Sequence, residues 1–472
     1  MIPLAPDAHV HLIAACGTAM GSLAGMLKSL GLRVTGSDRN VYPPLSDFLR
    51  AEGINLFEGY DPGNIDPAPD LVVVGNAVSR GNPELEAVLD AGLPYTSLPE
   101  ILRDLFLADR RPIVVTGTHG KTTTTAMAAF LLRAGGLDPS WLVAGLPRDL
   151  DRPYHLGGDP WFVIEGDEYD SAYFAKTAKF LYYRPHVLII NNIEFDHADI
   201  YRDLDEIRRA FRQVVNQVPR TGLILANGDD PVVAETVAEA PAPVETFGLG
   251  PHNHWRALEV ETGERGQSFD LVRDGQPSGR PRLSLGGEHN LRNALGALAA
   301  AAFTGADPEL FGAALAGFVG VSRRQEHLGT IGGVRLIDDF AHHPTAVAQT
   351  LAGLRRSFPG GRLWAVFEPA SASNARATFE ALYVQAFAEA DAVILGAVPR
   401  PERSGEEEPF SPDRLAGHLR SRGLEARHLP SPEAIAAYLA DHAARGDTVL
   451  FMSNAGFGGV QQLTVEALRR RS

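Results

Sequence analysis

The β-branched run Ile113-Val114-Val115-Thr116 leads directly into Gly117-Thr118-His119-Gly120-Lys121-Thr122-Thr123, and an apolar-periodic segment follows. A strand, a glycine turn and a helix in that order belong to an α/β sheet and surround a phosphate with main-chain N–H groups at a helix N-terminus. In such a loop Lys121 reaches the β- and γ-phosphates, and the Thr122 hydroxyl is offered to Mg²⁺. The loop is a short form, because Val115 stands where the first glycine of G-x-x-x-x-G-K-[ST] would be. The alternative is a glycine turn that happens to carry a lysine.

Two more strand ends carry hard ligands. The predicted strand Trp161–Glu165 runs into Gly166-Asp167-Glu168-Tyr169-Asp170. The predicted strand Val187–Ile190 runs into Asn191-Asn192-Ile193-Glu194-Phe195-Asp196-His197-Ala198-Asp199. Open α/β sheets bind ligands at the carboxyl ends of their strands, and Mg²⁺ takes oxygen donors. One such segment alone reads better as a solvated acidic loop. Two behind a phosphate loop favour a bound metal over a solvated acidic loop with a hydrogen-bonded histidine.

Further on, Gly287-Glu288-His289-Asn290-Leu291-Arg292-Asn293 opens an Ala-rich helix expected over 291–304. His289, Asn290 and Asn293 are either helix caps or adenine contacts. Gly320-Val321-Ser322-Arg323-Arg324-Gln325-Glu326 precedes a strand that ends in Asp338-Asp339-Phe340-Ala341-His342-His343-Pro344. Vicinal acids and histidines are costly to bury without partners. They read either as a capped helix start or as Asp339 on a ribose with His342 and His343 near the transferred phosphate.

The first block predicts strands at 10–15, 33–36 and 71–75 with helices at 21–30 and 84–90. Its loop Ala15-Cys16-Gly17-Thr18-Ala19-Met20-Gly21 resembles a dinucleotide turn, but G-x-G-x-x-G needs glycine at 15, 17 and 20 and finds only Gly17. A nicotinamide oxidoreductase is therefore disfavoured, and a diphosphate such as that of a UDP-sugar is the better ligand. Residues 253–285 alternate around glycine turns like an antiparallel meander. The last block predicts strands at 334–337, Leu363–Phe367, Ala392–Leu395 and Thr448–Met452, with an exposed loop at 400–412.

At 472 residues the chain exceeds the roughly 250–300 that one core supports, so two or three domains are expected. The net charge of −15 argues against nucleic-acid or anionic-membrane partners. A single cysteine, Cys16, permits no intramolecular disulfide, and no run approaches the ~20 apolar residues of a membrane span. A cytoplasmic location is expected. The sequence is silent on oligomeric state and is compatible with a monomer.

Taken together, Gly117–Thr123, the Asn192-Ile193-Glu194-Phe195-Asp196-His197 segment, His289-Asn290 with Asn293, and Asp338–Pro344 resemble the Mur ligases over nearly the whole chain. The resemblance implies three domains. These are a Rossmann-like UDP-sugar-binding domain (1–108), a central P-loop ATPase-like domain with a parallel and a small antiparallel sheet (109–318), and a C-terminal Rossmann-like domain for the amine (319–472). It implies that ATP meets Gly117, Thr118, His119, Gly120, Lys121, Thr122, Thr123, His289, Asn290, Asn293, Arg324 and Asp339. It implies a UDP-sugar site at Gly17, Thr18, Met20, Gly21, Ser37, Asp38, Asn76 and Ala77.

Within the family, Gly36–Pro44, Gly75–Pro83, Tyr169–Phe174 and Met452–Gly459 look like the branch that recycles murein tripeptide. That branch joins UDP-N-acetylmuramate to L-alanyl-γ-D-glutamyl-meso-diaminopimelate, using ATP with Mg²⁺. His342, His343, Arg376 and Asn454 then fall in the peptide and acyl-phosphate region. The branch that adds L-alanine, and a UDP-sugar/ATP sensor without catalysis, are the alternatives. Two departures stand out. Lysines occur only at 28, 121, 176 and 179, so the carbamylated lysine of many members has no counterpart in Arg208-Arg209-Ala210-Phe211-Arg212. Ala370 also stands where an arginine is expected, with Arg376 as its candidate replacement. The mechanism implied is attack of the lactyl carboxylate on the γ-phosphorus, stabilised by the N–H groups of 117–121, Lys121 and Mg²⁺, and then aminolysis of the acyl-phosphate, with Thr122, Glu165 and His197 at the metal and Lys121, Glu165 and His197 as the catalytic group. Domain closure is also expected.

Overall fold

The computed structural model describes residues 4–41, 45–195, 200–370, 380–398 and 410–471. The chain forms two compact units. One comprises Met1–Arg256, Val272–Pro277 and Arg292–Ala314, and the other Ala257–Leu271, Ser278–Leu291 and Leu315–Ser472.

The first unit holds a five-stranded sheet, the two-stranded antiparallel pair Asp170–Ala172 and Ala175–Ala178, and most of a larger mixed sheet. The five-stranded sheet has the order Asn55–Glu58, Arg33–Asp38, His9–Ile13, Leu71–Val74, Tyr95–Ser97, all parallel. The chain steps outward from His9–Ile13 in both directions, and such a reversal opens a crevice at the strands' carboxyl ends. Gly17 follows one of those two strands and Asn76-Ala77 the other.

The larger sheet places Arg111–Thr116 between Val187–Ile190 and Trp161–Glu165, parallel to both. The register pairs Ile190 with Thr116 and Glu165 with Val115, so the three strands end level. Val114, Val163, Leu188 and Ile189 are fully buried. Parallel strands covered on both faces read as unbroken apolar runs, which is why these were legible in the sequence. Leu223–Asn227 and Val244–Gly248 extend the sheet beyond Val187–Ile190.

The expected meander forms. Gly266–Arg273 pairs antiparallel with Gln276–Pro277 and Arg282–Leu283. In the second unit a sheet runs Glu326–Ile331, Val334–Asp339, Thr448–Met452, Leu363–Phe367, Ala392–Leu395, Glu425–His428. Its first pair is antiparallel and the rest are parallel. Leu336, Trp364, Val366 and Phe451 fill one core; Ile337, Ala365, Phe367 and Leu450 fill another. Period-2 alternation thus buries both faces. The α/β class with parallel sheets and a small antiparallel one is as expected. No helix among the described residues is long and apolar enough to cross a membrane.

Candidate active site

The loop Gly117–Thr123 is built on two glycines that nothing larger could replace. Gly117 has φ +130° and Gly120 φ +81°. A Cβ on Gly120 would lie 2.5 Å from Asn293 Oδ1 and 3.0 Å from Asn191 Nδ2. The helix Lys121–Ala134 then starts without a side-chain cap, so its first amides have no partner within the helix. Four threonines, Thr122 to Thr125, open it although β-branched residues are weak helix formers. All four are buried, and three have bonds. Thr122 donates to Glu165 Oε1 at 3.1 Å, Thr124 Oγ1 accepts from Asn191 Nδ2 at 3.0 Å, and Thr125 donates to the Lys121 carbonyl at 2.8 Å.

Lys121 Nζ donates to the Gly117 carbonyl at 2.8 Å and to Glu168 Oε2 at 2.7 Å, with Asp167 at 3.7 Å. Burial works to lower the pKa of this ammonium, but Glu168, Asp167 and Glu165 outweigh it and raise the pKa. The lysine is therefore a permanent cation in a site of low dielectric. Asp167 also accepts from Lys179 at 2.7 Å. Tyr201 donates its hydroxyl to the Glu168 carbonyl at 2.7 Å.

Thr122 Oγ1 and Glu165 Oε1 meet beside the loop, with Asp167 and Glu168 following on the same strand end. These are hard oxygens, the donor set that Mg²⁺ takes, and they fit the metal. His197, with Asp196, lies outside the described residues. The next strand end closes over the loop. Thr118 N–H donates to the Asn192 carbonyl at 3.2 Å. His119 N–H donates to Asn192 Oδ1 at 2.8 Å, and Asn192 Nδ2 returns a bond to the His119 carbonyl at 3.1 Å. Glu194 N–H donates to Thr118 Oγ1 at 2.9 Å. The sequence offered no sign of this grip, or of Glu168 as the partner of Lys121. Only the register of adjacent strands reveals them.

Of the other nucleotide candidates, Asn293 lies against Gly120. His289 and Asn290 belong to the second unit, in the first turn of Glu288–Phe303, which starts three residues before the expected 291. Asn290 Nδ2 donates to the Gly286 carbonyl at 2.8 Å, and His289 Nε2 lies 3.1 Å from Gln325 Nε2. Asp339 accepts from the Gln325 and Ala341 amides, each at 2.7 Å. Burial, opposed by Arg324, pushes its carboxyl up to about 6. The Arg324 guanidinium sits 4.7 Å over the Phe340 ring.

His343 caps Pro344–Ser357, accepting from the Thr345 amide at 3.4 Å, and His342 Nδ1 lies 3.0 Å from the Phe340 carbonyl. Asn454 stands where Arg323 grips the chain, donating to the Ser453 and Ala455 carbonyls at 2.7 and 2.6 Å. Ser453 donates to Glu368, whose carboxyl burial pushes up. Arg376 lies outside the described residues.

In the first sheet, Gly17 is exposed and Thr18 half-buried, while Met20 and Gly21 are buried beneath the turn. Asp38 accepts from the Cys16 amide at 2.9 Å and so ties the end of its strand to that turn. Ser37 is fully buried, its hydroxyl donating to Glu84 Oε1 at 2.7 Å. Asn76 is half-buried and Ala77 exposed.

Three family models match in succession: the Mur ligase family catalytic domain over residues 9–110, the Mur ligase middle domain over 115–301, and the Mur ligase glutamate ligase domain over 323–455. The chain is 39% identical to the UDP-N-acetylmuramate–L-alanyl-γ-D-glutamyl-meso-2,6-diaminoheptandioate ligase of Escherichia coli K12, covering 98% of this chain and 99% of the relative. It is 34% identical to the UDP-N-acetylmuramate–L-alanine ligase of Variovorax paradoxus S110, covering 97% and 94%. The crystal structure of a murein peptide ligase from Psychrobacter arcticus 273-4 superposes with a TM-score of 0.74 at 36% identity, covering 98% and 99%. The chain belongs to the Mur ligase family.

Proposed function

We propose that the chain is an ATP-dependent ligase that joins the lactyl carboxylate of UDP-N-acetylmuramate to the α-amine of L-alanyl-γ-D-glutamyl-meso-diaminopimelate through an acyl-phosphate, in the cytoplasm. The observation that carries the chemistry is that Lys121 and Thr122, opening the helix after one strand, meet Glu168 and Glu165 at and just past the end of the adjacent parallel strand. The substrate pair is supported by the Escherichia coli relative named for it, which matches almost end to end.

In this reading residues 1–108 hold the UDP-sugar, with Gly17, Thr18, Asp38 and Asn76 at its crevice. Residues 109–318 hold ATP, and residues 319–472 hold the amine, with His342, His343 and Asn454 on the peptide side. Lys121 stays charged and balances the negative charge that spreads over the transferring phosphoryl group. Thr122 and Glu165 would hold Mg²⁺, which when bound neutralises charge on the β- and γ-phosphate oxygens. The carboxylate oxygen attacks the γ-phosphorus and ADP leaves. The neutral α-amine then attacks the acyl carbon, phosphate leaves with the carboxylate oxygen, and the nitrogen gives up its surplus proton to solvent.

A substrate panel tests this reading. Purified protein with ATP, Mg²⁺ and UDP-N-acetylmuramate is offered L-alanine, L-alanyl-γ-D-glutamate or the tripeptide. The highest kcat/KM belongs to the tripeptide. A preference for L-alanine would move the chain to the other branch, and absence of product with all three would overturn the ligase reading.

A further inference from the structure

A phosphate loop is expected to present its successive amides to the ligand, yet two of them here already have partners within the protein. Thr118 N–H bonds the Asn192 carbonyl and His119 N–H bonds Asn192 Oδ1. The His119 carbonyl is also held, by Asn192 Nδ2 at 3.1 Å and Asn191 Nδ2 at 3.4 Å. Thr118 Oγ1 is engaged from the same segment, by Glu194 N–H. One side chain therefore grips both polar groups of the His119 peptide flanks, as a neighbouring strand would. On the other side of Gly120, the amides up to Thr123 open an uncapped helix, whose first intrahelical bond is Thr124 N–H to the Gly120 carbonyl.

We propose that Asn192 is a positioning residue of the nucleotide site. It takes the Thr118 and His119 amides out of phosphate binding and fixes the left-handed Gly120, so that the amides of Gly120 to Thr123 alone cradle the phosphate oxygens. The inference rests on the reading of 117–123 as the phosphate loop and assigns the work within it. A loop braced in this way is held in its binding shape before nucleotide arrives, which lowers the ordering cost of binding.

Amide hydrogen exchange at single-residue resolution on the full chain tests this, with and without a non-hydrolysable ATP analogue and Mg²⁺. The Thr118 and His119 amides are protected without nucleotide and change by less than about twofold when it is added, whereas those of Gly120 to Thr123 slow at least about tenfold. In Asn192→Ala the His119 amide loses its protection, while Thr118 keeps its main-chain partner. KM for ATP rises about tenfold in that variant, with kcat and KM for UDP-N-acetylmuramate within about twofold of wild type. If nucleotide newly protects Thr118 and His119, those amides bind phosphate and the proposal fails while the loop reading stands. If no amide from 117 to 123 responds, the loop reading fails and takes the proposal with it. A uniform loss of kcat and of both KM values in Asn192→Ala contradicts a positioning role. Should that variant not fold, the wild-type exchange pattern decides.

Discussion

Lys121 Nζ lies 2.7 Å from Glu168 Oε2, and the Glu168 side chain is only 2% exposed. Removing one partner of a buried pair strands the other charge and costs on the order of 3 kcal/mol or more. Lys121→Met is therefore expected to lower both the denaturation midpoint and the ligation rate, the latter by about a thousandfold. Adding Glu168→Gln restores the midpoint without restoring turnover. Recovery of activity in the double variant would mean that Lys121 serves only to neutralise Glu168.

The Thr122–Glu165 contact predicts the metal dependence. Chelation abolishes ligation and Mg²⁺ restores it. Glu165→Ala raises the Mg²⁺ concentration for half-maximal rate by about tenfold or more. Titration of rate against free Mg²⁺ at saturating substrates measures this, and an unchanged midpoint removes Glu165 from the metal.

Gly120 is the position where space and dihedral angle act together. Its φ of +81° disfavours any side chain, and the Asn293 oxygen would stand 2.5 Å from an added Cβ. Gly120→Ala is expected to cost about 1–3 kcal/mol of stability and to weaken ATP binding more than UDP-sugar binding. Calorimetric titration with each ligand gives the comparison.

The buried Asp339 carboxyl predicts a pH dependence with a definite sign. Its folded pKa of about 6 lies above the ordinary 3.8, so the folded protein binds this proton more tightly than the unfolded chain does. The stability it contributes is complete below the unfolded value and is lost as pH rises through about 6. The unfolding free energy of Asp339→Asn relative to wild type should therefore increase from pH 4 to pH 7. Urea unfolding at a series of pH values measures that difference.

The strands that carry the site were legible because they are buried on both faces. Trp161–Glu165, Val187–Ile190, Leu363–Phe367, Ala392–Leu395 and Thr448–Met452 match their predicted bounds. Asn55–Glu58 and Glu425–His428 were not read from the sequence. Both lie at sheet edges, have polar or charged residues among their four, and owe their conformation to a single paired neighbour. The strand, glycine turn and helix of 111–134 and the acidic residues after the neighbouring strand could be read from residue order alone. The grip of Asn192 on His119 could not, since nothing in two adjacent asparagines says which way either side chain turns. Likewise Ser37, which the resemblance implies at the UDP-sugar, turns its hydroxyl inward to Glu84.

ATP activates the lactyl carboxylate as an acyl-phosphate from which the amine then displaces phosphate, in the reading proposed above. The direct measurement uses UDP-N-acetylmuramate carrying ¹⁸O in that carboxylate, with the tripeptide, ATP and Mg²⁺, and mass analysis of the released phosphate. One ¹⁸O atom is expected in each phosphate released per amide bond formed. Unlabelled phosphate formed alongside the amide would contradict it.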